Sequence, residues 1–344
     1  MVRPSEPFPL GKIPNPVLRE LLAGLGSTDP RVRVGPGIGL DAAVIDLGDR
    51  YLVAKTDPIT FASDWVGWYA VHVNANDVAC MGAEPRWFLA SLLLPEGKTD
   101  RGLAESIFEQ IGEACHSLEI SLVGGHTEIS QGIDRPIVVG CLLGEVAKDG
   151  LVTAAGAQAG DVLLLVGGIP IEATAILARE KADELEGRFE PQFLARCRKF
   201  LFDPGISVVR AARLAVAAGP IHAMHDLTEG GLLAGLWELA EASGSGLEVD
   251  REAIPILPEG QALCEAFGLD PLASIASGAF LLTAPHDRHP AIEQALTAEG
   301  IMVSAIGQVI SRAGAEVRLR SAGGVGLAPK PERDEIARLL QRSA

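Results

Sequence analysis

Strand-like and helix-like hydrophobic patterns alternate through the 344 residues of the chain, and that alternation restricts it to sheets covered by helices. AVIDL (43–47) and YLVAK (51–55), joined by a Gly-Asp-Arg turn, predict a hairpin. Ser63 and Asp64 are expected to cap a helix running through WVGWYAVHVNANDVACMG, a half-buried one, with Trp68, Ala75, Val78 and Ala79 at helical spacing. WFLASLLLP (87–95) reads as a buried strand, 101–117 as a helix, and ISLVGG (120–125) and PIVVGCLLGEV (136–146) as two further strands. The small residues of AKDGLVTAAGAQAGD (147–161) mark a hinge. Beyond it DVLLLVG is a strand, IEATAILAREKADEL a helix, PGISVVRAARLAVAAG a helix closed by glycine, PIHAM a strand and LLAGLWELAEASG a helix. ASIASGAFLLTAP and MVSAIGQVI are strands flanking a helix at HPAIEQALTAEG. The class is α+β. The length suits two domains, placed at 1–150 and 151–344, each a mainly antiparallel or mixed sheet under helices.

The chain carries 45 acidic and 29 basic residues, a formal net charge of −16. Duplex nucleic acid and anionic membranes both need a basic face, so neither is an expected partner. Cysteines 80, 115, 141, 197 and 264 show no CxxC spacing and no close pairing, which suits reduced thiols in a cytoplasmic protein. The opening MVRPSEPFPLGKIPNP has no apolar core, so no signal peptide is expected. The most apolar stretch, DVLLLVGGIPIEATAILA, is interrupted by Gly-Gly, Pro170 and Glu172 and does not suit a membrane span.

Four polar interruptions break the apolar framework of the first half: GIGLDAAVI (37–45), KTDPIT (55–60), NANDVACMGAEP (74–85) and LVGGHTEIS (122–130). Asp41, Asp57 and Asp77 are three carboxylates with no lysine or arginine adjacent in sequence. If they converge, a divalent cation is the usual means of offsetting their repulsion, and hard oxygen ligands suit Mg²⁺ carried with phosphates. Gly124 and Gly125 would let backbone approach a phosphate, with Thr127 supplying a hydroxyl. In the second half HDLTEGG (225–231) joins a strand to a helix, which places Asp226, Thr228, Gly230 and Gly231 at a helix N-terminus that favours anions. Singly, each has an ordinary structural reading. Asp57 before proline is a turn residue, Asp41 a cap, Gly-Gly a bend, His126 a hydrogen-bonded structural histidine, and Thr228 an N-cap. Asn76-Asp77 is the strongest signal, because an unpaired carboxylate on an apolar helix is costly unless something binds it. No GxxxxGK[ST], GxGxxG after a strand, GxSxG or HExxH occurs.

In this order the motifs resemble the AIR synthase-related (PurM-like) ATP-binding superfamily and, within it, the hydrogenase maturation factor HypE and its relatives. LGKIPNPVLRELL is similar to the GK(I/L)P opening, GIGLDAAVI to GDDAAV, TDP to the TD motif and NANDVACMGAEP to the NDxxxMGAxP helix. GGHTE is similar to the GGxT turn, HDLTEGG to HDxTxGG and DPLASIASGAFLL to the SG strand pair. The resemblance spans nearly the whole chain. It implies a two-domain fold whose N-terminal α/β domain pairs into a dimeric β-barrel and whose C-terminal domain is an α/β sandwich. It implies ATP with Mg²⁺ on Asp41, Asp57 and Asp77. Lys12, Thr56, Asn76, Gly124, Gly125, Thr127 and Glu128 would line the nucleotide, and Thr228, Glu229, Gly230 and Gly231 the substrate end. Asp77, Asp226 and His126 would carry catalysis, which in this family is ATP-dependent activation of an oxygen-bearing or carbamoyl-type small molecule.

Two departures bear on this. Leu40 stands where the family places its first aspartate, and the chain ends RLLQRSA without the terminal cysteine on which HypE carries its carbamoyl group. The cysteine before residue 80 found in many selenophosphate synthetases and the GVGTK signature of AIR synthases are absent too. Two function classes therefore follow. One is an ATP-dependent phosphoryl-transfer enzyme. The other is a homodimeric nucleotide-binding scaffold serving a maturation-factor partner.

Overall fold

The computed structural model describes residues 8, 10–311 and 314–342. After α1 (Asn15–Leu22), the first sheet takes β1 (Val32–Val34), β2 (Ala43–Asp46) and β3 (Arg50–Ile59). Then come α2 (Val66–Cys80), β4 (Glu84–Pro95), α3 (Arg101–Ser117), β5 (Ser121–Ser130) and β6 (Ile137–Ala147). The order across the six strands is β1-β2-β3-β6-β4-β5. β4 and β5 run parallel, which requires a crossover, and α3 supplies it. Asp100 caps α3, accepting the Leu103 amide at 2.8 Å.

The second sheet begins with β7 (Val162–Val166), α4 (Ile171–Glu180), α5 (Ala182–Leu185), α6 (Pro191–Lys199) and α7 (Val209–Ala218). β8 (Ala223–Asp226), α8 (Gly231–Ser243), β9 (Gly246–Asp250), α9 (Pro258–Phe267) and β10 (Phe280–Ala284) follow. It ends with α10 (His289–Ala298), β11 (Val303–Ile310), β12 (Glu316–Ser321), β13 (Gly324–Leu327) and α11 (Glu335–Arg342). The order is β13-β12-β9-β11-β7-β10-β8. Both sheets are mixed, and the chain is a two-domain α/β protein.

The sheets differ in how their faces are covered. In β7 every residue is buried. Val162, Leu164 and Val166 face the core under α4, α6, α7 and α10, and Leu163 and Leu165 face the core under α8, as the two-residue period dictates. Each such leucine contributes roughly 1.5–3 kcal/mol by leaving water. The first sheet is buried on one face only, against α2 and α3. Its other face presents Leu52, Ala54, Trp87, Leu89, Leu93, Ile137, Val139, Cys141 and Leu143, all half-buried.

Several local expectations are corrected. α2 is buried all round rather than on one side, because it lies between its own sheet, α3 and α7. Its N-cap is Trp65, in a left-handed conformation with no side-chain cap. The expected capping pair reaches the second domain instead, Ser63 donating to Glu180 at 2.7 Å and Asp64 pairing with Arg179 at 2.6 Å. GGHTE is not a turn but the middle of the edge strand β5. The helix expected through residue 185 breaks at Lys181. ASIASGAF is mostly buried loop, with β10 starting only at Phe280. All five cysteines are free thiols.

Candidate functional site

β3 and α2 build one wall of the site. Lys55 and Asp57 alternate on the same, inward face of β3, opposite Asp77 on α2. The Lys55 ammonium lies 2.9 Å from Asp77 Oδ1 and 3.4 Å from Asp57 Oδ2. The expectation of three carboxylates without a cation is thereby corrected. Lys55, two residues before Asp57, stands between two of them.

The loop ahead of β2 and the β8–α8 connection build the other wall. Gly39 takes φ +72°, and a Cβ there would come within 2.5 Å of the Glu238 carbonyl oxygen. Only glycine lets this loop lie so close to α8. Asp41 follows, with Oδ1 2.6 Å from His225 Nδ1. The other ring nitrogen of His225 is 3.1 Å from Glu238 Oε2. Burial works against the imidazolium, but Asp41 and Glu238 outweigh it and hold His225 charged. Asp41, His225 and Asp226 each bring a ligand atom within 4.8 Å of the others.

Four carboxylates shift upward here. Burial first, then Asp226, raises Asp77 well above the ordinary range. Burial and Asp41 push Asp226 up to about 7, and burial raises Asp57 against the pull of Lys55. Glu172, in the first turn of α4 and 4% exposed, is pushed up to about 8 by burial, with Ser277 pulling against it. Asp57, Glu172, Thr228, Glu229 and Ser277 line a small cavity of about 30 Å³ between β3 and α4, room for a small polar group. Lys12, half-exposed, reaches across from the N-terminal segment. Its ammonium is 2.9 Å from Glu229 Oε2 and donates to Thr228 Oγ1 at 3.3 Å.

The residues expected at the site divide into three sets. Asp41, Asp57, Asp77, Asp226, Thr228, Glu229 and Lys12 converge. A second set is committed elsewhere. Asn76 donates to the Ile206 carbonyl and accepts the Val208 amide, both at 2.8 Å, so it fastens α2 to the second domain. Thr56 points to the opposite sheet face and donates to the Gly140 carbonyl at 2.8 Å. The α8 N-terminus already holds a carboxyl group, since Gly230 is the cap and donates its amide to Asp334 at 2.7 Å. The Gly231 amide bonds the Thr228 carbonyl. The third set, Gly124, Gly125, His126, Thr127 and Glu128, lies on β5, three strands from β3 and exposed along its length. His126 and Glu128 face each other there at 3.2 Å.

Lys55, His225, Glu238 and Glu172 were not singled out from sequence. The i, i+2 rule for strands would have found Lys55, and His225 lay inside a quoted motif.

The residues present fit a divalent cation. Asp41 Oδ2, Asp77 Oδ2 and Asp226 Oδ2 are buried carboxylate oxygens without a hydrogen-bond partner, a condition that calls for a ligand. Among the described residues, six carboxylates around them (Asp41, Asp57, Asp77, Asp226, Glu229, Glu238) face three cations (Lys12, Lys55, His225), so these residues leave the cleft short of positive charge.

A two-domain α/β fold with an acidic cleft between its domains defines the class. The AIR synthase related protein N-terminal domain matches residues 39–146 and the C-terminal domain residues 158–320; the chain belongs to that family. Carbamoyl dehydratase HypE of Rhodobacter capsulatus is 29% identical over 280 residues, 80% of this chain and 78% of that protein. HypE of Cupriavidus necator is 33% identical over 233 residues, 67% of this chain and 62% of that protein. Among solved structures, HypE in complex with ATP shares the fold at a TM-score of 0.72 and 24% identity, over 96% of this chain and 98% of that one. ThiL complexed with AMPPCP and TMP does so at 0.71 and 23%, over 92% and 96%.

Proposed function

We propose that this chain binds ATP as its magnesium complex in the cleft between the two domains and uses it to activate an oxygen-bearing, carbamoyl-type small molecule. The observation that carries this reading is the trio of orphaned oxygens on Asp41, Asp77 and Asp226. They would hold the magnesium ion, which when bound neutralises phosphate charge. Lys12, anchored on Thr228 and Glu229, would meet the terminal phosphate. The Glu172 carboxyl keeps its proton at neutral pH and can donate a hydrogen bond to an acceptor oxygen. Relatives named carbamoyl dehydratase support the substrate class, and the ATP and AMPPCP complexes of fold neighbours support the nucleotide.

The half-buried apolar face of the first sheet supports a homodimer, since a monomer rarely leaves such a face to solvent. In that assembly the exposed β5 residues, His126 included, would line a shared cleft. No helix among the described residues is long and apolar enough to cross a membrane. The scaffold reading keeps one observation in its favour. Lys55 already pairs with Asp57 and Asp77, which suits binding without turnover, and a maturation-factor partner would be its client, as the HypE–HypF complex among the fold neighbours suggests.

Calorimetry with AMPPNP and magnesium tests the nucleotide, and phosphate release across a panel of amides and carbamoyl compounds tests turnover. Absence of AMPPNP binding ends both readings. Binding without stimulated release across the panel selects the scaffold.

A further inference from the structure

The first sheet's outward face belongs to the dimer reading above, and the Glu172 cavity belongs to the acceptor end. Lys55 carries something else. Its ammonium lies 2.9 Å from Asp77, one of the three carboxylates that the magnesium reading draws on, and 3.4 Å from Asp57, and its side chain is only 20% exposed. Asp77 beside it is 4% exposed. A charge pair this buried is weakly screened.

We propose that the Lys55 ammonium is a built-in cation of the cleft, standing between Asp57 and Asp77 where a metal ion would otherwise bind and confining divalent metal to the Asp41–Asp226 side. The distribution of satisfied and orphaned oxygens is the argument. Asp77 Oδ1, on the Lys55 side, is paired. Asp77 Oδ2, Asp41 Oδ2 and Asp226 Oδ2 have no partner. His225 does not relieve them: its Nδ1 lies nearest Asp41 Oδ1, at 2.6 Å, and its Nε2 bonds Glu238 Oε2 at 3.1 Å. A divalent ion placed between Asp57 and Asp77 would have to expel the ammonium or sit within a few ångströms of it. A unit charge at that range changes proton affinity tenfold to roughly a thousandfold, and a divalent ion feels the same field twice. Strand geometry makes the device simple, since a residue two positions before Asp57 must share its face.

For its purpose the inference rests on the nucleotide reading, but its test needs no nucleotide. Mn²⁺ uptake by the full chain is followed from the free-ion electron paramagnetic resonance signal, together with melting curves with and without Mn²⁺. Lys55→Met keeps length and removes charge. It is expected to take up one more Mn²⁺ per chain than wild type, or to bind Mn²⁺ at least roughly tenfold more tightly, and to gain a larger melting shift from Mn²⁺. Lys55→Arg keeps the charge and is expected to follow wild type. If Lys55→Met does not fold, Lys55→Gln serves, since its amide can still donate to Asp77. Two tightly bound Mn²⁺ ions in wild type, or the same uptake curve in wild type and the neutral variant, would overturn the proposal. Failure of wild type to bind AMPPNP while the variants behave as expected would remove the nucleotide reading and leave this one standing.

Discussion

Replacing Glu172 by glutamine tests whether the cleft holds a neutral carboxyl beside its charged ones. The substitution is isosteric and removes only the ability to ionise. The folded carboxyl sits at about 8 against an ordinary 4.5. A carboxyl raised on folding makes the native state bind more protons than the unfolded chain. Stability from this group is therefore fully present below about 4.5 and lost as pH rises toward 8. With 3.5 units between the two values and about 1.4 kcal/mol per unit, the loss in wild type approaches roughly 4–5 kcal/mol above pH 8. At pH 5 wild type and Glu172→Gln should have nearly equal urea unfolding free energies. At pH 9 the variant should be the more stable by several kcal/mol. Asp226 and Asp334, both at about 7, also titrate in this window, so the quantity to read is the difference between the two proteins at each pH. A difference that stays flat from pH 5 to 9 refutes the reasoning. So does a variant that is less stable at pH 9, which would mean an ionised Glu172 with a cationic partner.

Asp77→Asn should weaken binding of magnesium AMPPNP by roughly 1–3 kcal/mol, as expected for loss of a charge-assisted contact; calorimetry reads this directly. Asn76→Ala removes two buried hydrogen bonds to the second domain and should lower unfolding free energy by roughly 2–4 kcal/mol, read by urea melts without ligand. Leu40→Asp should tighten magnesium-dependent nucleotide binding if position 40 borders the cleft, and unchanged calorimetry would place Leu40 in the packing instead. Light scattering should give a dimer for wild type, and Leu143→Arg, on the outward sheet face, should give a monomer.

Several strands and helices of the first half were legible from their hydrophobic pattern. AVIDL and YLVAK became β2 and β3, and 101–117 became α3. The errors fall where tertiary contacts override local preference. Ser63 and Asp64 look like caps, yet Glu180 and Arg179 claim them from more than a hundred residues away. Thr228 looks like an N-cap, but its hydroxyl accepts from Lys12, while Gly230 is the cap residue and Asp334 accepts its amide. The glycines of β5 look like a turn because glycine is rare inside strands; here Gly125 admits the backbone of β4, where a Cβ would meet the Ala90 carbonyl oxygen at 2.0 Å. At the site, the three aspartates and HDLTEGG were readable as polar interruptions of apolar sequence. Their polar neighbours were less so: Lys55 stands in KTDPIT, coupled to Asp57 only through the two-residue period of a strand, and Glu238 and Glu172 sit in segments whose composition is ordinary for a helix.

Asn76 and Asp77 are consecutive on one helix, yet one grips the backbone at 206–208 and the other faces the cleft. The position of a cleft carboxylate is thus geared to the docking of the second domain, through a single turn of rigid helix. A shift of the 206–208 segment is expected to reach Asn76 and, through the helix, the Lys55–Asp77 spacing. Sequence changes at 206–208 should therefore show up as changes in cation affinity.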